Sequence, residues 1–440
     1  MNASAFLGRL TSGHVARHSL VSLPLRLTGL ALSFVQAVLT ARILGAEGYG
    51  IASVAMSAVQ IAATLSVLGF GSLAVRELAG LRAAGSALTI AQFVWSSARR
   101  VALLATFAGG ALSAAALAGL VPDAYDGAVI ASGLVVLPAA AIQLQRGIAQ
   151  GLGRIATAQV PGELLRPGLL VAFLLFAAAT QLPLAPSHYV LAFAAAAGVA
   201  VAIALPFTLP GIGPARPPAD PSLRRRWLTE ARPFIGIMMV AILLGEIATL
   251  MLGWLAGPRE AGLFQPVARI VPLMVLPAQV VSASFAPRVA ELWALGERVR
   301  VMRLTHTFTL ITSAMTLAVV GLLILAAPLI MRLYGAEFLP SAALLWIVGL
   351  AQLLNAAAGP VGQLMTMTGH AGNALRGQLA ALAVNLLLGI VLIPSQGAQG
   401  AAIAMAGGLA VWNLVLLARA RQLLGFDPSL LGALARVWRR

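Results

Sequence analysis

Lysine and cysteine are both absent from this 440-residue chain, and acidic side chains are scarce, 13 against 29 arginines. Without lysine there is no Gly-Lys-Ser/Thr loop to cradle phosphates, so the chain carries no Walker A site for ATP. Without cysteine there are no disulfides, no thiolate metal ligands and no thiol nucleophile. The five histidines are scattered; His14 and His18 are one turn apart, yet no acidic partner completes a metal site, and neither metal nor cofactor is expected. Charged residues make up only 10% of the chain and aromatic ones 6%. What remains is apolar: 60% hydrophobic residues and a mean hydropathy of +0.94, outside the range of a water-soluble domain.

The apolar residues fall into twelve continuous runs, near 20–41, 50–70, 100–121, 127–145, 165–181, 188–209, 233–255, 263–285, 305–331, 341–364, 376–394 and 399–418. Each is close to the ~20 residues a helix needs to cross a bilayer, and about twice the length of a barrel strand. The expected fold is an all-α polytopic membrane bundle. The first run is too long for a signal-peptide core and reads as a retained span. Abundant Ala and Gly suit helices whose backbones approach closely, as in the stripe Gly400, Ala404, Gly408.

The net charge of +16 finds its explanation in topology rather than in nucleic-acid binding, for which no water-facing domain exists. With a cytoplasmic N-terminus nearly all arginines lie on the cytoplasmic side, the opposite side holds Arg42, Arg259 and Arg332, and Arg26 and Arg269 fall within spans. That bias places both termini in the cytoplasm. The organisation expected is a cytoplasmic segment 1–19, a lobe of six spans 20–209, a linker 210–232 with several prolines and Arg224-Arg225-Arg226, a second lobe 233–420, and a basic tail 421–440.

A turn occurs twice, as Leu44-Gly45-Ala46-Glu47-Gly48-Tyr49-Gly50 and Ala256-Gly257-Pro258-Arg259-Glu260-Ala261-Gly262, with Glu77-Leu78 and Glu291-Leu292 following at nearly the same distance. A repeated glycine turn marks a repeated helical hairpin, and an even number of spans per lobe makes the two lobes parallel repeats. The second hairpin carries what the first lacks. Glu246 and Arg269 lie in its two spans, where a charge costs roughly 2.5–3.5 kcal/mol and so does not face lipid. Counting at ~1.5 Å per residue puts them at similar depth, either as a structural ion pair or as a coupling site in a water-filled cavity. Glu246 is expected to be the one carboxylate firmly within the membrane. Pro266, Pro272 and Pro277 surround Arg269 and are expected to bend or break the eighth span, making it a gate or hinge. Arg26, beside Pro24, either snorkels to the headgroups or meets an anionic substrate. Gln36, Asn355, Asn385 and Asn413 read as hydrogen-bonding glue between helices, with Asn355 the one to test for exposure to a cavity.

Several segments together resemble the Wzx-type polysaccharide flippases of the multidrug/oligosaccharidyl-lipid/polysaccharide exporter superfamily, which also holds the lipid II flippases and the MATE exporters. They are 41–50 after the first span, Leu68-Gly69-Phe70-Gly71 and Arg76-Glu77-Leu78 after the second, 333–340 before the tenth, Gly349 to Ala356 within it, and 397–402 opening the twelfth. The resemblance implies a MATE-like bundle of two six-helix lobes and no enzymatic activity. It further implies outward movement of an undecaprenyl-diphosphate-linked oligosaccharide by alternating access, with membrane lipids, a polymerase and glycosyltransferases as partners. Arg26, Arg269 and Asn355 become candidate substrate contacts. A cation-coupled exporter of the MATE type is the alternative. A polysaccharide polymerase or ligase is disfavoured because no outer connection is long enough to hold a catalytic domain.

Overall fold

The computed structural model describes residues 14–213 and 221–437. Most of the expected N-terminal segment, the proline-rich part of the linker and the last three residues of the tail lie outside them. Among the described residues there is no strand. Ten helices are long and apolar enough to cross a membrane. Two of these reverse within their length, at Gly45 (φ 68°, ψ 178°) in α1, His14–Val67, and at Gly397 (φ 52°, ψ −130°) in α14, Ala371–Leu424. Only glycine adopts such angles cheaply. Counting their halves separately gives the twelve expected spans.

Between these run α2 (Phe70–Ala83), α3 (Ala87–Leu117), α4 (Asp126–Gly151) and α5 (Ile155–Val160), then a π-helical turn Pro161–Leu165, and α6 (Arg166–Ala179) and α7 (Pro186–Thr208). Then follow α8 (Pro221–Leu255), α9 (Pro258–Ala294), α10 (Arg298–Leu325), α11 (Ala327–Tyr334), a 3-10 turn Ala336–Ser341, α12 (Ala342–Ala358) and α13 (Val361–Met367). After α14 the described chain ends with α15 (Leu430–Val437).

The chain forms two compact units. The first comprises residues up to 44 together with 55–242; the second comprises 45–54 and 243 onward. In the first unit α4 is the central helix, and small residues set its contacts. A Cβ on Gly109 of α3 would strike the Gly133 carbonyl, and one on Gly147 or Gly151 would strike the carbonyls of Gly71 or Ala74 on α2. Backbones this close gain dispersion that side chains would prevent. The start of α8 docks on the same unit through Trp227, 1% exposed, whose ring meets Phe93 edge-on at 5.1 Å. Around it Glu230 pairs with Arg76 and, at 2.7 Å, with Arg226. Those arginines are more than half exposed, so burial of the indole contributes more to docking than the ion pairs do.

In the second unit the two copies of the repeated turn meet. A Cβ on Gly50 would overlap the Pro258 carbonyl oxygen, and one on Gly262 would overlap that of Ala46. The contact is reciprocal, as two-fold related copies require. Each reversal is then capped from elsewhere: Ala46 N–H donates to Glu337 Oε1 at 2.9 Å, and Ala398 N–H donates to Glu260 Oε2 at 2.9 Å. A carboxylate at a helix start satisfies a donor that has no partner within the helix and complements the dipole. The stripe Gly400 and Gly408 lets the second half of α14 press on its first half, against the carbonyls of Leu392 and Ala381. Below, Phe285, Phe308, Val361, Leu364 and Leu416 form a core. The segment leading to α15 closes over α10, where His306 Nε2 donates to the Asp427 carbonyl at 2.7 Å.

Gly262→Ala is expected to destabilise the protein by ~1–3 kcal/mol, because backbone rather than a pliant side chain stands in the way. Gly80→Ala, on α2 with nothing within 4 Å of the added carbon, is expected to be neutral or stabilising by up to ~1 kcal/mol. Thermal melting of the purified variants checks both; equal melting temperatures would remove the packing argument.

Candidate functional site: an arginine cluster and an amide-lined cavity

The eighth span does not break. α9 is helical from Pro258 to Ala294 through Pro266, Pro272, Pro277 and a fourth proline, Pro287. Proline removes a donor and disturbs the carbonyls before it. Here the Ser341 hydroxyl donates to the Leu263 carbonyl at 2.7 Å, next to the Gly262 carbonyl that Pro266 leaves without its helical donor, so another element braces the helix at this turn. The discontinuity lies instead in the tenth span, between α12 and α13. Gly359 there takes φ 81°; Pro360 after it disfavours the helical region for its predecessor and has no N–H to donate. The Gly-Pro pair was legible in the sequence.

That break borders a cavity of about 180 Å³ within the second unit, walled by α9, α10, α12, α13 and α14. Asn355 lines it, together with Gln352, Gln363, Asn413, Thr312 and Trp412. The amides form a chain: Asn413 Nδ2 donates to Asn355 Oδ1 at 3.0 Å, and Asn355 Nδ2 to Gln352 Oε1 at 3.3 Å. Asn355 is thus both a helix-to-helix link and a cavity residue. Gln36 serves only as a link, donating to the Tyr189 hydroxyl at 2.8 Å.

Glu246 is half-buried on α8 and Arg269 exposed on α9, and both are engaged by other groups. Arg269 lies near enough to Tyr334 for its charge to act on the phenol. Burial drives that hydroxyl far above its ordinary range, and the nearby guanidinium opposes the rise.

The expectation that Glu246 is the one carboxylate firmly within the membrane is corrected by Glu163. This residue lies inside the apolar helix 155–179, in the π-turn that Pro161 opens. There Arg166 N–H reaches back five residues to the Pro161 carbonyl, widening the turn. Glu163 Oε1 accepts from Arg146 of α4 at 2.9 Å, their side chains being 19% and 40% exposed. Its Oε2 is buried with no partner among the described residues. Gly29 of α1 packs directly on Glu163, which places exposed Arg26 one turn away. Arg166, the next turn along from Glu163, sits over the Phe193 ring at 4.9 Å. In the first unit Glu163 thus pairs with Arg146, while Arg26 and Arg166 stand on the helical turns next to the residues that meet there. The short polar stretch before residue 165 had hidden this, because it read as a loop between spans. Among the described residues no group of three or more His, Asp or Glu forms a metal site.

Among the described residues, twelve crossing segments in two compact units, two pairs of them reversing at glycines, form a fold shared with solved transporters of the superfamily that the sequence resembles. Its inward-facing multidrug resistance MATE family transporter has a TM-score of 0.68 at 16% identity, over 90% of this chain and 94% of that one. The lipid II flippase MurJ in an inward closed conformation gives 0.63 at 14% identity, over 92% and 87%. A transporter of the superfamily from Pyrococcus furiosus gives 0.59 at 16%, over 92% and 94%. At such identities the likeness is one of fold. None of the curated proteins searched matches the chain. The model of the polysaccharide biosynthesis protein family matches residues 15–293, well over half of the sequence, and the chain belongs to that family.

Glu163→Leu is expected to lower the melting temperature, since it leaves Arg146 without its counter-charge. Arg146→Met combined with Glu163→Leu should recover most of the loss, as replacing both partners of a pair by apolar groups often does. A double variant no more stable than Glu163→Leu alone would show that the two residues are not coupled.

Proposed function

We propose that this transporter moves an undecaprenyl-diphosphate-linked oligosaccharide from the inner to the outer leaflet of the bacterial inner membrane, with both termini in the cytoplasm. Glycan and diphosphate cannot cross hydrocarbon bare, so the protein supplies polar surfaces while the lipid tail stays in the bilayer. Membership of the polysaccharide biosynthesis family supports this reading. The observation that carries it is the arginine cluster of the first unit. Arg146 meets Glu163 among apolar helices, Arg26 and Arg166 lie on adjoining turns, and guanidinium matches phosphate with two parallel hydrogen bonds. Glu163 holds Arg146 when no phosphate is present, and an arriving diphosphate takes its place. A MATE-type exporter of cationic compounds needs the opposite sign. Arg269, in the second unit, is a further candidate contact.

In cells lacking their own copy, Arg26→Gln and Arg146→Gln should each reduce surface polysaccharide by about tenfold or more, the worth of one charge-assisted contact. Immunoblotting confirms equal amounts of protein. Normal polysaccharide in both variants would exclude the cluster from the transport path. Orientation is checked separately on the naturally cysteine-free chain. Arg259→Cys should react with an impermeant maleimide in intact cells, and Ala84→Cys only after permeabilisation. The reverse pattern would invert the topology.

A further inference from the structure

The cavity of the second unit differs in chemistry from the arginine cluster. No acidic, basic or histidine side chain lines it. Its polar atoms are amides and hydroxyls, and the amide chain fixes their roles. Asn413 Nδ2 donates both to Asn355 Oδ1 and to the Leu409 carbonyl at 2.9 Å. Oδ1 of Asn413, a residue only 6% exposed, is left as an acceptor without a partner among the described residues, as is Gln363 Oε1. The wall carries donors and acceptors without net charge, so a phosphate or carboxylate would find no counter-charge in it and an inorganic cation no anionic oxygen to offset its dehydration. A hydroxylated neutral ring, which both donates and accepts, suits it.

Shape agrees. At about 180 Å³ the space equals roughly six waters, below the range of pockets for drug-sized ligands, and is suited to one ring rather than to a chain of them. Trp412 supplies a flat apolar wall. Its ring is held between Gly362 and Gly377, where any Cβ would press on it. One end is closed by the segment before α15, since a Cβ on Gly359 would lie 2.6 Å from the Pro428 carbonyl.

We propose that this cavity is a subsite for one uncharged sugar ring of the cargo, an inference that rests on the lipid-linked oligosaccharide assignment above. Asn355 and Gln363 hydrogen-bond its hydroxyls, and Trp412 lies against its apolar face.

The test uses the purified full chain in proteoliposomes with two probes: undecaprenyl diphosphate bearing a single N-acetylglucosamine, and undecaprenyl diphosphate bearing no sugar. Asn355→Leu should slow translocation of the sugar-bearing carrier by about tenfold and leave the bare carrier unchanged. Gln363→Leu, on a different helix, should do the same, which guards against a folding defect in one variant. Equal rates for wild type and both variants on the sugar-bearing carrier, or equal slowing of both carriers, would overturn the subsite while leaving the flippase assignment standing. A wild-type chain that moves neither carrier would overturn that assignment and the subsite with it.

Discussion

The second unit is organised by a place where two backbones nearly touch. Gly50 and Gly262 each present bare Cα to the other segment's carbonyl, an approach that no other residue permits. Lipid tails are as apolar as leucine, so helices in a membrane gain little from hiding apolar side chains from their surroundings; close packing and hydrogen bonds must do the work. The crossing supplies the packing. The carboxylates of Glu337 and Glu260 supply the hydrogen bonds, each reaching the first free N–H after a glycine reversal. Four turns are thereby tied together, at Gly45, Gly257, Gly335 and Gly397, and all four glycines have positive φ. Two of them, at Gly45 and Gly257, carry the resemblance between the two halves of the sequence, which explains why the repeat is visible there and faint elsewhere.

Much of the fold was legible because membrane burial is a one-dimensional constraint. A helix must satisfy its own backbone across the hydrocarbon, so length and hydropathy locate it without knowledge of its neighbours. Twelve runs became twelve segments for that reason. What composition could not reveal was how proline would act. Pro266, Pro272 and Pro277 looked like the strongest helix-breaking signal in the chain, yet α9 passes through them intact, while one Gly-Pro pair at 359 and 360 parts α12 from α13. Proline alone removes one donor, a local loss that a packed helix can absorb. Glycine before proline permits a dihedral that ends the helix outright, and no distant hydroxyl reverses that.

The site was harder to read, and Glu163 shows why. A hydropathy window weighs each residue separately and places a span's edge where polar residues begin, so Gln159 and Glu163 are assigned to water. Ion pairing changes the account. Arg146 and Glu163 together present far less charge to hydrocarbon than either does singly, and a π-turn redirects the chain so that they meet. Their partnership is between spans, and a linear scan cannot detect it. Asn355 was visible as a polar residue in an apolar run, but its place in an amide chain with Gln352 and Asn413 depends on α12 meeting α14.

Two kinds of polar surface result, and the physics of membrane burial explains why the Arg146–Glu163 site holds charges and the cavity wall does not. An arginine kept ready for an anion needs a counter-charge while it waits, or its desolvation cost falls on the folded protein. Glu163 meets that cost for Arg146, and by the same token it competes with any phosphate for the guanidinium. Such a site releases its anion readily, which a carrier needs more than it needs tight binding. Neutral amides wait at lower cost because they satisfy one another, as Asn413, Asn355 and Gln352 do. A cargo with a charged end and an uncharged end is matched by that division, whereas a compact organic cation would find neither surface suited to it.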